Sequence, residues 1–299
     1  MTAQEIAGAR PAEARLHLAG AAFATGGALA WSAGALLIRL VEADAWTLLF
    51  WRSTSIAIGM TLYLAAVNRG GVIRALRRAG WPVVIAGLLM AVSMCLYVNA
   101  ITRTSVANTL FMIATNPFIA AVLAWVVLNE RVSPRTWATM AAALVGTATM
   151  LGDSIGGGNW LGDALALGCA ATFALVMVVL RRYKNQDNLP QVLMAGLWAM
   201  ALTLPMAAPA AASWRDILLC AAMGVFSIGL GMLLFVHGLR YISAAEAGLL
   251  SLLESILAPI WVWLAIGEQP RPLALLGGAI VLGAVATHAV LTARPNGGR

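Results

Sequence analysis

Charged residues are scarce in this 299-residue chain, where Asp, Glu, Lys and Arg together make up 10% of the sequence. A soluble domain carries about 25% charged residues, so this chain has too few polar groups to cover a water-exposed body. Hydrophobic residues account for 61%, and the mean hydropathy is +0.86. This composition excludes a soluble enzyme, a disordered protein and a secreted disulfide scaffold, and it indicates an integral membrane protein.

The sequence also lacks the clusters that mark a catalytic, metal or nucleotide site. Cys95, Cys169 and Cys220 each fall within an apolar run and form no CxxC spacing. The three histidines are scattered, and no HExxH or GxSxG motif occurs. The glycine run 156–158 has no preceding strand and no P-loop lysine. We therefore expect no metal, no cofactor, no enzymatic activity and no ATP-driven step.

Ten apolar runs predict ten transmembrane helices, and the fold class is therefore an all-α integral membrane protein. Each run is close to the length of about 20 residues that crosses a bilayer core. The predicted spans are 17–38, 46–67, 81–101, 105–128, 135–151, 161–180, 190–208, 217–238, 244–266 and 273–292. Residues 1–16 and 293–299 are expected to be unstructured cytoplasmic tails, and residues 152–160 an external linker.

The basic residues predict the orientation. With the N-terminus in the cytoplasm, most Lys and Arg residues fall on the cytoplasmic side, as the positive-inside rule requires. This bias favours both termini inside and an even number of spans. The net charge of +7 is then a signal of topology, and we expect no nucleic-acid partner.

The chain contains an internal repeat. Residues 97–134 align with residues 235–272 without a gap at an offset of 138. Identical Trp, Glu and Pro residues match in that one register, including Glu130 with Glu268. The match indicates a duplicated unit of five spans.

Because five is odd, the second unit must enter the membrane from the opposite side. The two inverted units are residues 17–151 and 161–292. Inverted repeats around a midplane site and a central cavity are a recurring build of secondary transporters. This favours a transporter over the alternative of a duplication kept only for stable packing.

Four segments resemble a known family. LAWVVLNERVSPRTWATMAAALVG (123–146) and WVWLAIGEQPRPLALLGGAIVLGA (261–284) resemble the paired signatures of the ten-span EamA type of the drug/metabolite transporter superfamily. WSAGALLIR (31–39) and FWRS (50–53) resemble its first- and second-helix patterns, and Asn129 stands where the first copy usually has Gly. In general character the chain is similar to the YddG-type bacterial amino-acid exporters. The resemblance implies a central cavity, small organic substrates and a bacterial inner-membrane location.

Ionisable residues inside a span are expensive, so each needs an explanation. Glu246 and Glu254 in the ninth predicted span align at offset 138 with Asn108 and Asn116 in the fourth. The glutamates can hold a substrate ammonium or carry a coupling proton. The alternatives are a structural hydrogen bond for Glu254 and a favourable helix-dipole position for Glu246.

Other residues related by the repeat are aromatic or polar. Trp31 aligns with Phe173 at offset 142, while Tyr97 aligns with Phe235 and Asn99 with His237 at offset 138. Such residues can line a pocket or can serve packing alone. The substrate-cavity candidates are Trp31, Tyr97, Asn99, Asn108, Phe111, Asn116, Phe173, His237, Glu246 and Glu254.

Structural or gating roles are expected for a second set. Arg52 is expected to reach the outer interface or to pair with Glu42 or Asp44, with a substrate-carboxylate contact ranked second. His17 and His288, near predicted span ends, suggest no function. The structural or gating candidates are Arg52, Pro117, Glu130, Gly229, Gly231, Pro259 and Glu268.

Together these features predict a secondary transporter that exports amino acids, including aromatic and other neutral ones, by alternating access. The alternative is proton-coupled efflux of cationic or aromatic drugs. The expected partners are a small-molecule substrate, the lipid bilayer and, if transport is coupled, protons; no obligatory protein partner is evident. The sequence leaves proton-coupled and facilitated transport both open.

Overall fold

The computed structural model describes residues 3–293 except 69–70, 102, 105, 152–158 and 268–271. In this part the chain is helical and contains no strand. The helices are α1 (Ala3–Leu40), α2 (Ala45–Val67), α3 (Gly71–Ala79), α4 (Trp81–Ile101), α5 (Val106–Ile113), α6 (Asn116–Leu128), α7 (Pro134–Leu151), α8 (Trp160–Arg182), α9 (Pro190–Thr203), α10 (Trp214–Ala222), α11 (Leu230–Gly238), α12 (Ala244–Ser251), α13 (Leu253–Ile266) and α14 (Pro272–Ala293).

Seven stretches of the described chain are long and apolar enough to cross a membrane, which confirms the expected all-helical membrane protein. They are Arg15–Ile38, Ala45–Val67, Trp81–Ala100, Thr109–Leu128, Trp160–Arg182, Trp214–Gly238 and Ala244–Ala265. Helices α7, α9 and α14 occupy the other three predicted ranges, although α9 has only 14 residues.

Two local features differ from the sequence-based expectation. An unstructured tail is expected over residues 1–16, whereas α1 begins at Ala3. The reason is local, because residues 3–16 are rich in Ala, Glu and Arg, which are strong helix formers. The expected tail at 293–299 lies almost wholly outside the described residues.

The second difference is the short helix α3, which no predicted span contains. Ala75 and Ala79 are buried against the protein. The opposite face is exposed and carries Arg74, Arg77 and Arg78. Gly71 at its start and Gly80 just after it have φ angles of +74° and +71°, where a side chain would be strained. A basic, amphipathic helix of this kind is typical of a membrane surface.

Two of the predicted spans are broken at related positions. Between α5 and α6 the helix is interrupted at Ala114 and Thr115, and between α12 and α13 at Leu252. Ala114 and Leu252 align at the offset of 138. Pro117 explains the first break, because proline lacks an N–H and clashes with the preceding turn. Pro259 lies within α13, which continues past it.

A π-helical segment, Met223–Gly229, joins α10 to α11. Its Ser227 hydroxyl donates a hydrogen bond to the Trp31 carbonyl of α1 (3.3 Å). Just beyond Gly229, a Cβ at Gly231 would lie 2.4 Å from the Trp31 ring, so the missing side chain allows the two helices to approach closely.

The helices enclose a shared core. Helix α1 packs on α11, α12 and α13, while α4 packs on α8 and α9. Helix α2 packs on α9 and α10, α6 packs on α8 and α12, and α7 packs on α14. Alanine and glycine are frequent at these contacts, as expected where helices associate by close packing.

Candidate functional site

Arg52 and Glu254 are opposite charges inside two of the stretches that are long and apolar enough to cross a membrane. Arg52 lies on α2, Glu254 lies in the first turn of α13, and both are half-buried. They are close enough to influence each other electrostatically, and the neutral Tyr97 of α4 lies in the same region. Within the described part of the chain, neither charge has an ion-pair or hydrogen-bond partner, and the buried Arg52 Nε has no acceptor. An unpaired charge at membrane depth points to function.

Arg52 does not pair with Glu42 or Asp44, the partners that the sequence suggests. Glu42 lies 3.4 Å from Arg215 in an exposed ion pair. Asp44 accepts two backbone hydrogen bonds at the start of α2, at 2.9 and 3.1 Å. Burial raises the pKa of Asp44, but hydrogen bonds from the Thr47 side chain and from the backbone of Thr47 and Trp46 outweigh it and leave that pKa below its usual value. Both acids are therefore engaged locally, and Arg52 stays without them.

Three aromatic rings from three helices meet near the centre of the bundle. The Trp31 ring of α1 lies 6.1 Å from Phe173 of α8 and 4.9 Å from Phe235 of α11, centre to centre. Phe173 and Phe235 are stacked at 5.9 Å. Trp31 and Phe235 are buried, whereas Phe173 is half-buried. The repeat-related pair Trp31 and Phe173 therefore does meet, and Phe173 stays partly accessible.

Asn116 begins α6 and is buried. Its Nδ2 donates a hydrogen bond to the Ala170 carbonyl of α8 (2.7 Å), while its Oδ1 has no acceptor role within the described chain. Ala170 precedes Phe173 by less than one helical turn, so Asn116 and the aromatic rings lie at a similar depth. Phe111 on α5 is half-buried.

Asn99 donates a hydrogen bond to the Cys95 carbonyl of its own helix (3.0 Å). His237, its counterpart in the repeat, packs instead against Phe23 at 4.8 Å and Tyr241 at 6.0 Å. The two members of this pair thus have different surroundings. Glu268 and the side chains of Asn108 and Pro259 lie outside the described residues.

Glu246 belongs to a separate cluster with two histidines. Its Oε2 lies 3.0 Å from His17 Nε2, and its Oε1 lies 3.5 Å from His288 Nε2. The three residues come from α12, α1 and α14. Sequence reasoning missed the histidines because they are far from Glu246 in the chain. The one available signal was the presence of ionisable residues inside apolar runs.

Glu130 closes the same end of the bundle through Arg181. Arg181 Nε donates to Glu130 Oε1 (3.0 Å), and its Nη1 donates to the carbonyls of Leu239 (3.2 Å) and Arg240 (3.0 Å). These bonds tie the ends of α6, α8 and α11 together. The charge of Arg181 also interacts with His17, so the ion pair and the histidine cluster are neighbours.

The described residues contain no group of three or more His, Cys, Asp or Glu side chains that could hold a metal ion. The three cysteines are free, and Cys169 contacts the Ser93 hydroxyl at 3.3 Å. The arrangement therefore offers charged and aromatic groups for binding.

Known proteins share this architecture. A model of the EamA-like transporter family matches residues 18–152 and again residues 160–288. The protein named "Uncharacterized transporter YwfM" of Bacillus subtilis (strain 168) is 28% identical over 210 residues, which cover 68% of this chain and 71% of that protein. A solved crystal structure aligns with a TM-score of 0.78 and 20% identity over 91% of this chain and 97% of the other, which shows a shared fold. Because the family model matches most of the sequence, the chain belongs to the EamA-like transporter family, and it is a membrane transporter.

Proposed function

We propose that this transporter exports amino acids across the bacterial inner membrane by alternating access. The observation that carries the proposal is the pair Arg52 and Glu254, two opposite charges without partners in the described chain. An amino acid carries one carboxylate and one ammonium. The planar guanidinium of Arg52 suits the carboxylate, and the carboxylate of Glu254 suits the ammonium. A bound zwitterion would thus neutralise both charges at once.

The aromatic residues suit neutral and aromatic side chains of such a substrate. Tyr97 lies in the region of the two charges, and the half-buried Phe173 packs against Trp31 and Phe235. Small-molecule sites are mostly apolar, with a few polar groups that set the orientation. The proposed cavity combines apolar aromatic rings with the two charged groups that would orient the substrate.

We further propose ten spans in two inverted units, residues 17–151 and 161–292. The family model matches twice, once in each unit. The helix contacts also follow the repeat, since several contacts between a helix of the first unit and a helix of the second have counterparts in which the equivalent helices of the two units are exchanged. Helix α4 packs on α8 as α11 packs on α1, and α6 packs on α8 as α13 packs on α1. The related breaks after α5 and α12 add support, since broken helices at midplane are typical of transporter sites.

In the proposed topology both termini are cytoplasmic, and the basic surface of α3 supports this. The Arg181–Glu130 ion pair and the histidine cluster then lie at the cytoplasmic end, where they hold the helices together. The described conformation is accordingly closed toward the cytoplasm. Rocking one unit against the other would open that end.

Efflux of lipophilic cations is the second candidate, because Glu254 and the aromatic rings would also suit a cation. Arg52 argues against it, since a cationic substrate would be repelled by the guanidinium. The two candidates therefore make opposite predictions for Arg52.

The test is flux of labelled tryptophan, methionine and threonine into proteoliposomes of the purified protein. We expect saturable, mutually competing flux that falls at least tenfold in Arg52→Gln and in Glu254→Gln. Arg215→Gln is the matched control, because Arg215 is an exposed arginine at the start of α10. Cationic dye flux that rises in Arg52→Gln, without amino-acid flux, would favour the second candidate. Folded protein that moves neither class would refute both.

A further inference from the structure

We infer that His17, Glu246 and His288 form a proton-binding site, and that a proton bound there holds the proposed cytoplasmic end of the transporter closed. The inference deepens the proposed function and rests on its topology. The proton-binding site is separate from the proposed amino-acid site, because Glu246 lies eight residues before Glu254, about 12 Å along a helix.

The cluster joins three helices that are distant in sequence. His17 comes from α1, Glu246 from the first turn of α12, and His288 from α14. The exposed fraction is 7% for Glu246 and 4% for His288, while His17 is half-buried. The carboxylate faces one imidazole with each oxygen, at 3.0 and 3.5 Å. Breaking the cluster is therefore necessary for α1 and α14 to move away from α12.

The number of bound protons decides how well this cluster tolerates burial. A glutamate anion between two neutral imidazoles carries a net charge of −1. One proton taken from water makes one histidine an imidazolium that donates to the carboxylate, and the net charge becomes zero. Burying an uncompensated charge costs far more than burying a hydrogen-bonded neutral set. The singly protonated cluster therefore stabilises the closed end.

Several charged groups lie on the helices packed against α12. The helices packed against α12 are α1, α6, α7, α8 and α13. From α8, Arg181 interacts with His17, but Arg181 is already paired with Glu130 after α6. On α7, Arg135 is exposed at the first turn, and on α13 the acid is the distant Glu254. Asn116 of α6 is uncharged. Within the described chain, the ion-pair partners of the Glu246 carboxylate are the two histidines, His17 and His288.

Opening the cytoplasmic end exposes the cluster to water, where the charge of −1 on the unprotonated cluster is solvated and costs little free energy. Proton release therefore accompanies opening, and proton binding accompanies closing. By linkage, a lower cytoplasmic pH favours the closed state to the same extent that closing favours proton binding. The site thus makes opening depend on pH, independently of which substrate occupies the cavity.

The chain offers a direct spectroscopic test because it contains three histidines in all. Full-length protein labelled with ¹⁵N in histidine and placed in lipid nanodiscs gives three imidazole spin systems, assigned with His17→Gln, His237→Gln and His288→Gln. We expect the cluster as a whole to take up one proton between about pH 5 and 8, the range in which imidazoles ordinarily change charge. Glu246→Gln should displace that step by about one pH unit or more, while His237 is unchanged.

His237 is the matched control, since it lies at the same end but packs on Phe23 and Tyr241. The inference fails if neither clustered histidine takes up a proton in that range, or if Glu246→Gln leaves both titrations where they were. Should Glu246→Gln not fold, His17→Gln makes the same test on His288, whose titration must then shift.

Flux separates this inference from the proposed function. In proteoliposomes, wild-type flux should change at least threefold with the pH on the cytoplasmic side, and Glu246→Gln should retain exchange while losing that dependence. Flux that depends on Arg52 but is indifferent to pH would overturn the proton site and leave amino-acid export standing. An absence of amino-acid flux, with the coupled histidine titration intact, would overturn the proposed substrate and support the proton site.

Discussion

At the scale of single residues, Arg52 is a charged side chain within a predicted span that has no ion-pair partner among the residues that the structure describes. A guanidinium in a membrane span normally pairs with an acid or reaches the interface. Arg52 has no partner in the described chain, while Glu254 shares its region and is equally unpaired. Two opposite charges that are kept apart form a site for a molecule that carries both signs.

The geometry of the guanidinium should matter as well as its charge. We predict that Arg52→Lys retains transport of neutral amino acids but raises KM about tenfold, because lysine lacks the planar fork that binds a carboxylate with two hydrogen bonds. Initial rates over a range of tryptophan concentrations measure the change. Arg215→Lys, at an exposed arginine, should keep the wild-type KM. A wild-type KM in Arg52→Lys would exclude a paired contact between Arg52 and the substrate carboxylate.

At the scale of helices, packing depends on places where a side chain is missing. A Cβ at Gly87 of α4 would lie 2.4 Å from the Met194 Cβ and 2.9 Å from the Ala195 backbone nitrogen of α9. Backbone atoms cannot move away without separating the two helices. At Gly283 of α14, by contrast, an added Cβ meets nothing within 4 Å.

These two glycines give a matched pair of stability variants. We predict that Gly87→Ala destabilises the protein by about 2 kcal/mol or more through overpacking. Gly283→Ala should be neutral or stabilising by up to about 1 kcal/mol, because alanine favours a helix. Thermal unfolding in detergent measures both changes, with a fall of several degrees expected for Gly87→Ala. Equal transition temperatures for the two variants would contradict the close α4–α9 contact.

At the scale of the whole molecule, one ion pair is placed to hold the proposed closed end. Arg181 links Glu130 with the carbonyls of Leu239 and Arg240, so three helix ends meet at one side chain. The side chains of Arg181 and Glu130 are 12% and 31% exposed. Arg215 and Glu42, at 64% and 81%, form an exposed pair at another site.

We predict that Glu130→Gln opens the end that carries Arg181. Loss of a partly buried ion pair is worth about 1–2 kcal/mol here, enough to shift a two-state equilibrium roughly tenfold. Spin labels on Arg135→Cys and Lys184→Cys, both exposed, report the separation once the native cysteines are replaced by alanine. The distance distribution should gain a longer component.

Glu42→Gln is the control for that experiment, since an exposed ion pair contributes little to stability or to a conformational equilibrium. Its distance distribution should match that of the parent protein. A distribution in Glu130→Gln that shows no longer component would mean that the Arg181 ion pair does not hold this end closed.

The class of the molecule follows from its sequence because the responsible physics is local. Too little charge and long apolar runs require helices in a membrane, and family signatures survive in contiguous stretches such as 123–146. The sequence marks only one of the two helix breaks. Pro117 marks the break before α6, whereas the break at Leu252 has no proline beside it.

The partners of the charged residues were decided only by the tertiary structure. The sequence suggests Glu42 and Asp44 as partners of Arg52. In the structure Glu42 pairs with Arg215, and Asp44 accepts hydrogen bonds at the start of α2. The sequence assigned nothing to His17 or His288, because their meeting with Glu246 depends on how α1, α12 and α14 pack. Composition and periodicity determine that helices form in the membrane. Contacts between residues far apart in the chain determine which charges stay unpaired, because each ion pair depends on distances that only helix packing sets.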